Sequence, residues 1–524
     1  MIFCFTSPGA KIDRSFNKDK GPPTYRIQGQ SCHLIGSLLP MPGKPPKFSH
    51  LYIYGTENKI QNRIGGLRFG NQLDPKIVAK LKDMFYHHNV FAKSFGMAKE
   101  IFEKKKSHDL KLQLISHRKT DGKIYNLPKV YEIAALISGD GNEPLNMDII
   151  LQLQSGKLQR INELHVSYLG LQYPILFSYG EDGYRNDVKH REQKDSNERK
   201  RTKVTIKEFH SFRLQARVLE AQTLCISHRL FQHFIVDGYI MMESECLFYI
   251  RTHQKQLRSD KYSSLQNSQY QKQTQPSNCG KCIILLSFFS GGRRYMDQLY
   301  FEGMSICSYA GFQDLFLTFT CNPCWPEILR DVKSINLMPQ DRPNIVSRVF
   351  KLKLEQLMTG LKSGKVLGNV VAYVYTIKWQ KGGLPHAHIL LFLHPSSKYP
   401  SPQDIDRIIS IEILDQLIDP ELYECVKNHM IHGPCGLDNR HVVPYIPKLL
   451  LKYQLHLNIE WCNQSTSIKY LFKYINKCYD RITAAIVPIE NEHGSCSQEN
   501  GKCKQFIDCR YISPLLFQFT KEHL

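Results

Sequence analysis

Apolar and polar positions fall in blocks whose spacing changes along the chain. His33 to Leu39 and Leu51 to Tyr54 are short apolar runs parted by a loop rich in Pro, Gly and Lys, and both read as strands. From Asp74 to Lys106 the apolar residues sit at helical spacing with basic residues between them. Val130 to Ile137 and Met147 to Leu153 are too short for the period to separate strand from helix. Tyr184 to Lys207 turns almost wholly polar around Glu198-Arg199-Lys200-Arg201-Thr202-Lys203 and reads as a linker or exposed loop, with a nuclear-import or phosphate-binding segment as the alternative. Helical spacing returns from Phe209 to Tyr249, and the Gln- and Ser-rich stretch Lys255 to Ser277 reads as a second loop.

Further on, Val370 to Ile377 is β-rich, Lys381-Gly382-Gly383 signals a turn, and Pro385 heads a run that becomes fully apolar at Ile389 to Leu393. This predicts two neighbouring strands. Alternation along the second sends His386 and His388 to the same face, where two imidazoles can be presented to one cation. A pair of structural histidines is the other reading of that spacing. Ser465-Thr466-Ser467 offers an N-cap to an amphipathic helix running to Lys477. Ile468, Leu471, Phe472 and Ile475 gather on one side of it, and Tyr470, Lys473, Tyr474 and Lys477 on the other. Two phenols one turn apart on a lysine-rich face are either ordinary surface or a pair of nucleophiles, whose pKa of about 10 nearby cations would have to lower.

Charge narrows the partner. The chain has 524 residues with 69 Lys+Arg against 48 Asp+Glu, a formal charge of +21, and 42% of it is hydrophobic. Such a chain builds real cores, and the size predicts about two to four domains. The basic excess implies a polyanionic partner, with nucleic acid leading and solubility alone as the bland alternative. The longest apolar run, Ile283 to Phe289 with a serine inside it, is far short of the ~20 residues that cross a bilayer, so no membrane partner is expected. The N-terminus lacks the basic start and apolar stretch of a signal peptide, which points to a cytosolic or nuclear protein whose 16 cysteines are mostly reduced packing residues. None of Gly280-Lys281, Gly364-Lys365 and Gly501-Lys502 completes a G-x-x-x-x-G-K-[ST] phosphate loop, so no nucleotide-driven motor is expected.

The strings GQSCHLIGSLLP, LQYPILFSYGEDGYR, VDGYIMMESECLFYIRTHQKQLRSDKY, DLFLTFTCNPCWPEI, YVYTIKWQKGGLPHAHILLFL, HMIHGPCG and WCNQSTSIKYLFKYINK occur in this order over most of residues 30 to 480. Together they resemble the replication-initiator region of Helitron transposase proteins, with the plant-type members looking closest. That resemblance implies an HUH endonuclease: an α+β fold in which a mostly antiparallel sheet is flanked by helices, here preceded by a mixed α/β N-terminal region. The division it suggests is residues 1–183 as an N-terminal region for recognising DNA ends, 184–207 as the basic linker, 208–480 as the initiator endonuclease, and 481–524 as a cysteine-containing tail that opens a further C-terminal part.

In such a protein His386 and His388 would hold Mg²⁺ or Mn²⁺ against the scissile phosphate of single-stranded DNA. Tyr470 and Tyr474 would match the two-tyrosine motif, one phenolate attacking phosphorus to leave a 5′-phosphotyrosine and a free 3′-hydroxyl. Lys473 would lower a phenol pKa or hold phosphate. Phe316 to Pro323 corresponds to the first initiator motif, and within it Asn322 is a DNA contact or simply an Asn-Pro turn. Trp379 and Lys477 complete the expected DNA contacts, the tryptophan by stacking on bases. Gln380 is the nearest candidate for a third metal ligand.

Three positions depart from the pattern. Lys378 stands where these proteins commonly carry an acid, Gly382 replaces a usual basic residue and Cys478 a usual glycine. Full Helitron proteins also continue into a superfamily 1 helicase, so strand separation here would need a helicase in trans or a missing C-terminal part. The expected function is therefore a nuclear rolling-circle initiator that nicks and transfers single-stranded DNA, with a catalytically decayed DNA-binding remnant as the alternative. A structural zinc protein built on Cys279, Cys282, Cys321 and Cys324 ranks last. The tail residues His493, Cys496, Cys503 and Cys509 match no defensible metal spacing.

Overall fold

The computed structural model of the chain describes residues 2–8, 11–13, 26–28, 33–53, 59–65, 73–105, 110–115, 129, 134–138, 149–152, 159–190, 202–215, 217, 222–254, 284–286, 289, 292–364, 366–379, 384–399, 401–431, 438–462 and 482–486. The chain folds as two compact units, one of Met1–Lys18, Tyr25–Leu224 and His233–Cys246, the other of Asp19–Thr24, Cys225–Gln232 and Leu247–Leu524. The architecture is mixed α/β with small antiparallel sheets.

In the first unit, β1 (Ser7–Pro8), β4 (His33–Ile35) and β8 (Gln159–Arg160) form one sheet. β2 (Lys11–Asp13) and β3 (Arg26–Gln28) form a second, and β5 (Leu110–Leu114), β6 (Ala134–Ser138) and β7 (Ile149–Gln152) a third in the order β6-β5-β7. The two ambiguous apolar segments are thus both strands. The helices are α1 (His50–Ile53), α2 (Lys59–Gly65), α3 (Pro75–His88), α4 (Val90–Lys105), α5 (Tyr168–Gln172), α6 (Ile206–Arg213) and the long α7 (Arg229–Thr252), part of which lies in this unit.

One sequence expectation needs correction, and the helical spacing from Asp74 resolves into more than one element. Leu51 to Tyr54 is not a strand, because residues 50–53 form α1. Leu51, Tyr52 and Ile53 are all buried, Tyr52 stacks on Phe5 with centroids 4.1 Å apart, and its hydroxyl donates to the Phe3 carbonyl at 2.7 Å. A run buried on every side carries neither rhythm, so its period could not reveal the helix. The helical stretch from Asp74 is also two helices. Asn89 caps both, its backbone N–H donating to the Phe85 carbonyl while its side-chain Oδ1 accepts from the Ala92 N–H at 3.1 Å.

The flanks of the polar stretch at Tyr184 to Lys207 pack into this unit. The Tyr184 hydroxyl donates to the Val204 carbonyl at 3.1 Å, Arg185 pairs with Asp187 at 2.6 Å, and Lys189 bridges Lys203. Residues 191–201, the centre of the basic cluster, lie outside the described residues.

The unit also buries a polar cluster. Asp237 takes hydrogen bonds from His33 Nε2 at 2.8 Å and from the Tyr173 hydroxyl at 2.6 Å. Beside it His210 lies between Phe209 and Phe234, with Gly238 packed so closely that any Cβ there would come within 2.8 Å of the ring. Burial pushes the His210 pKa down to about 3, against the opposing pull of Asp237. The unfolded histidine titrates near 6.5, so between that pH and the folded value the unfolded state binds the extra proton. Stability is therefore full above pH 6.5 and declines as pH falls through it, by up to about 1.4 kcal/mol per pH unit. Thermal unfolding followed from pH 7 to pH 4 should show a steeper fall in midpoint for wild type than for His210→Leu.

The second unit is organised by one five-stranded sheet. β9 (Leu315–Thr320), β10 (Val370–Trp379), β11 (Pro385–Leu393), β12 (Leu457–Trp461) and β13 (Ile482–Ile486) pair antiparallel throughout, in the order β12-β9-β11-β10-β13. Around it stand α8 (Arg293–Ala310), α9 (Pro326–Lys333), α10 (Pro343–Lys362), α11 (Pro402–Asp406), α12 (Pro420–His429) and α13 (Pro447–Tyr453). One face is apolar along its length. Leu317, Phe319, Tyr373, Ile377, Ala387, Ile389, Leu391 and Ile459 pack there against Ile328 of α9, Phe350 and Leu354 of α10, Val426 of α12 and Leu450 of α13. The other face is apolar only at one end, where Phe316, Ala372, Val374, Leu390 and Phe392 meet Tyr295, Cys307 and Ala310 of α8.

Candidate functional site

The remaining half of that second face is polar, and strand register fixes its layout. His386 stands opposite Thr320 on one side and Lys378 on the other, and the Thr320 N–H donates to the His456 carbonyl at 3.1 Å. In the next row His388 stands opposite Thr318 and Thr376, and Thr318 opposite Asn458. Alternation does what the sequence led us to expect, since both imidazoles project from one face with ring centroids 4.7 Å apart and planes near perpendicular at 89°. Pro385 holds the first position of β11, where a missing N–H costs least.

The two histidines are held differently. His388 Nδ1 and the Thr318 hydroxyl are 3.1 Å apart, and its ring stacks on Phe316 at 5.5 Å. Burial, then the charges of Lys378 and His456, push the His386 pKa down to about 4, so its imidazole is neutral near pH 7. Buried polar atoms with no hydrogen-bond partner gather here: His386 Nδ1, Thr376 Oγ1 and Asn458 Oδ1 all lie on these rows. Such atoms cost about 1–3 kcal/mol each when left unmatched inside a fold, so water or a polar ligand has to meet the three on this surface.

The other expected residues divide into three groups. Asn322 follows β9, but its Nδ2 donates to the Gln454 carbonyl at 2.6 Å and its Oδ1 accepts from the Cys324 N–H at 2.8 Å, so its amide holds the turn at the strand end. Trp379 is the last residue of β10 and pairs through its backbone register with Pro385. Gln380, Tyr470, Lys473, Tyr474 and Lys477 lie outside the described residues, as do Cys279, Cys282 and the cysteine tail. Of the zinc quartet, Cys321 is buried with its thiol pKa pushed up by desolvation, while Cys324 is exposed.

Sequence reasoning missed His456 and Asn458. Their every-second spacing repeats that of His386 and His388, and it could have been noticed, but only the pairing of β12 with β9 shows that both pairs share one face.

The residues of this face do not by themselves fit a divalent metal. Two neighbouring imidazoles supply two donors, the carboxylate of Glu460 stands one row beyond them, opposite Phe316, and accepts from Asn458 Nδ2 at 3.4 Å, and Lys378 places a cation directly across from His386. No group of three or more His, Cys, Asp or Glu side chains suited to a metal ion occurs among the described residues.

Residues 209–391 match the family model of the Helitron helicase-like domain at the N-terminus. The matched span takes in β9, β10 and both histidines and ends two residues before the end of β11. Over that span the chain is similar to a Helitron helicase-like N-terminal domain. No curated protein matches the chain.

The unmatched Thr376 hydroxyl gives a direct check. Thr376→Val removes a buried oxygen without changing side-chain shape, so it should raise stability to urea by about 1 kcal/mol, and an unfolding midpoint that stays the same or falls would show that the hydroxyl is matched within the fold.

Proposed function

We propose that the chain is a rolling-circle transposon initiator of the HUH type, which nicks and transfers single-stranded DNA through a 5′-phosphotyrosine intermediate in the nucleus. The observation that carries this reading is the pair of imidazoles on a central strand, set among unmatched polar atoms at the open end of an otherwise apolar sheet. In this reading Tyr470 and Tyr474 are the nucleophiles, with Lys473 and Lys477 beside them.

Topology supports bringing the tyrosines to this face. β9 and β10 run in the same direction and are joined through α9 and α10 on the fully apolar face. β12 and β13 run the opposite way and step across the sheet in the same lateral sense. Crossover connections are right-handed in about 98% of cases, so two crossovers of that hand with opposite strand direction cover opposite faces. Residues 463–481, which join β12 to β13 and contain both tyrosines, lie outside the described residues, and the reading requires them to bring a phenol to His386 and His388.

In the proposed step the phenol Oη bonds to phosphorus as the P–O3′ bond breaks. The proton lost by the phenol is matched by the one the 3′-oxygen takes up from water. Neutral His386 and the His388 imidazole, with the Thr318 and Thr376 hydroxyls, would orient the phosphate for in-line attack. A second tyrosine allows a second strand to be captured before the first is released. A helicase acting in trans, or a further C-terminal part, would supply the displaced strand.

Lys378 favours a second reading, a catalytically decayed remnant that only binds DNA. A labelled single-stranded oligonucleotide carrying the element's ends separates the two. Wild type should form a covalent adduct that is lost in both His386→Ala/His388→Ala and Tyr470→Phe/Tyr474→Phe, whereas DNA binding without an adduct would favour the remnant.

The path of the strand has a further requirement. Phe301 and Tyr309 on α8, and Phe312 just after it, are exposed on the helix that covers the same sheet face. Exposed aromatic rings suit base stacking. Tyr309→Ala and Phe312→Ala should each weaken single-strand binding by about 1–3 kcal/mol, read by fluorescence anisotropy at fixed salt.

A further inference from the structure

We propose that the cation facing the phosphodiester on this sheet is the Lys378 ammonium rather than a divalent metal ion, so that strand binding and cleavage persist when divalent metal is removed. This deepens, and rests on, the strand-transfer reading given above.

Register is the first argument. Lys378 of β10 and His386 of β11 are direct cross-strand partners, and one residue pair along His388 faces Thr376. Side chains directly opposite on adjacent antiparallel strands start about 4.5–5.5 Å apart at Cβ. An ion held by His386 and His388 would therefore carry its two positive charges within side-chain reach of a third. The same alternation that aims both imidazoles at one face aims Lys378 there too.

Donor chemistry is the second. The rows containing the histidines hold Thr320, Lys378 and His456 with His386, and Thr318, Thr376 and Asn458 with His388. Imidazoles, hydroxyls and an amide surround one ammonium in these two rows, and the carboxylate of the next row, Glu460, is engaged by Asn458 Nδ2, so the rows themselves lack the negative charge that hard divalent ions draw from carboxylates. The hydroxyls, the imidazole N–H groups and the ammonium suit a phosphate, whose oxygens accept from them, and a lysine ammonium brings a compact charge with three N–H donors on a flexible stem. The unmatched Thr376 Oγ1 and His386 Nδ1 flank it.

In the cleavage step the Lys378 ammonium offsets the charge that gathers on the non-bridging oxygens as Oη–P forms and P–O3′ breaks. Electrons and protons balance as before, and no co-reactant is added.

The test uses the full chain and two probes. Mn²⁺ alone is titrated into wild type and Lys378→Glu and followed by electron paramagnetic resonance. A single-stranded oligonucleotide is then offered to wild type, Lys378→Gln and Lys378→Arg in EDTA, with affinity and covalent adduct both measured. Wild type should leave Mn²⁺ free while Lys378→Glu takes up one equivalent. In EDTA, Lys378→Gln should bind the oligonucleotide about tenfold more weakly, Lys378→Arg should retain binding, and the wild-type adduct yield should equal that in Mn²⁺. Stoichiometric Mn²⁺ binding by wild type, or an adduct abolished by EDTA, overturns the proposal. If no variant forms an adduct under any condition, the strand-transfer reading falls, while the Mn²⁺ titration and oligonucleotide affinities still decide the cation.

Discussion

The position of β11 between β9 and β10 is the constraint on which the second unit depends. Its nine residues serve two faces by strict alternation: Ala387, Ile389, Leu391 and Leu393 enter the large core, Leu390 and Phe392 enter the smaller one beneath α8, and His386 and His388 come to the polar end. A slip of one residue against either neighbour would carry both imidazoles into the apolar layer and bring leucines out of it. Register is thus enforced by the burial of aliphatic side chains on one half of the strand, and the histidines on the other half inherit their placement from it.

That inheritance explains how a face with unmatched polar atoms persists. Phe316 stacks on His388 while Thr318 bonds it, so apolar contact and hydrogen bonding fix the same ring. Thr376 and His386 leave buried polar atoms unmatched, a cost of the kind found where a fold keeps a surface ready for a ligand. The strand end beside them is held by Asn322, whose amide ties the turn after β9 to the carbonyl of Gln454. A residue that reads as a DNA contact in sequence thus has a bonding role within the fold.

The family match and the sheet do not share a boundary. The match ends at Leu391, yet β12 and β13 flank the matched strands on both sides, and His456 and Asn458 on β12 extend the polar rows. The working surface is therefore assembled from chain on both sides of that limit. The same surface carries Lys378 directly across from His386, and that one charge bears on which ligand the rows suit.

Some of this was determined by the sequence alone. Period-two alternation after Pro385 placed His386 and His388 on one face, because a strand allows no other geometry for residues two apart, and helical spacing marked α3, α4, α6 and α7. The basic excess pointed to a polyanion because it requires no knowledge of the fold. The helical nature of residues 50–53 was hidden, since a run buried on all sides has no period. Only the tertiary structure decided that Lys378 faces His386, that Thr376 and Asn458 share its surface, and that Asn322 is occupied by Gln454. Those facts depend on which strands become neighbours and in what register, and pairing between segments as distant as β9 and β12 is fixed by the burial of a common core, which no local pattern encodes.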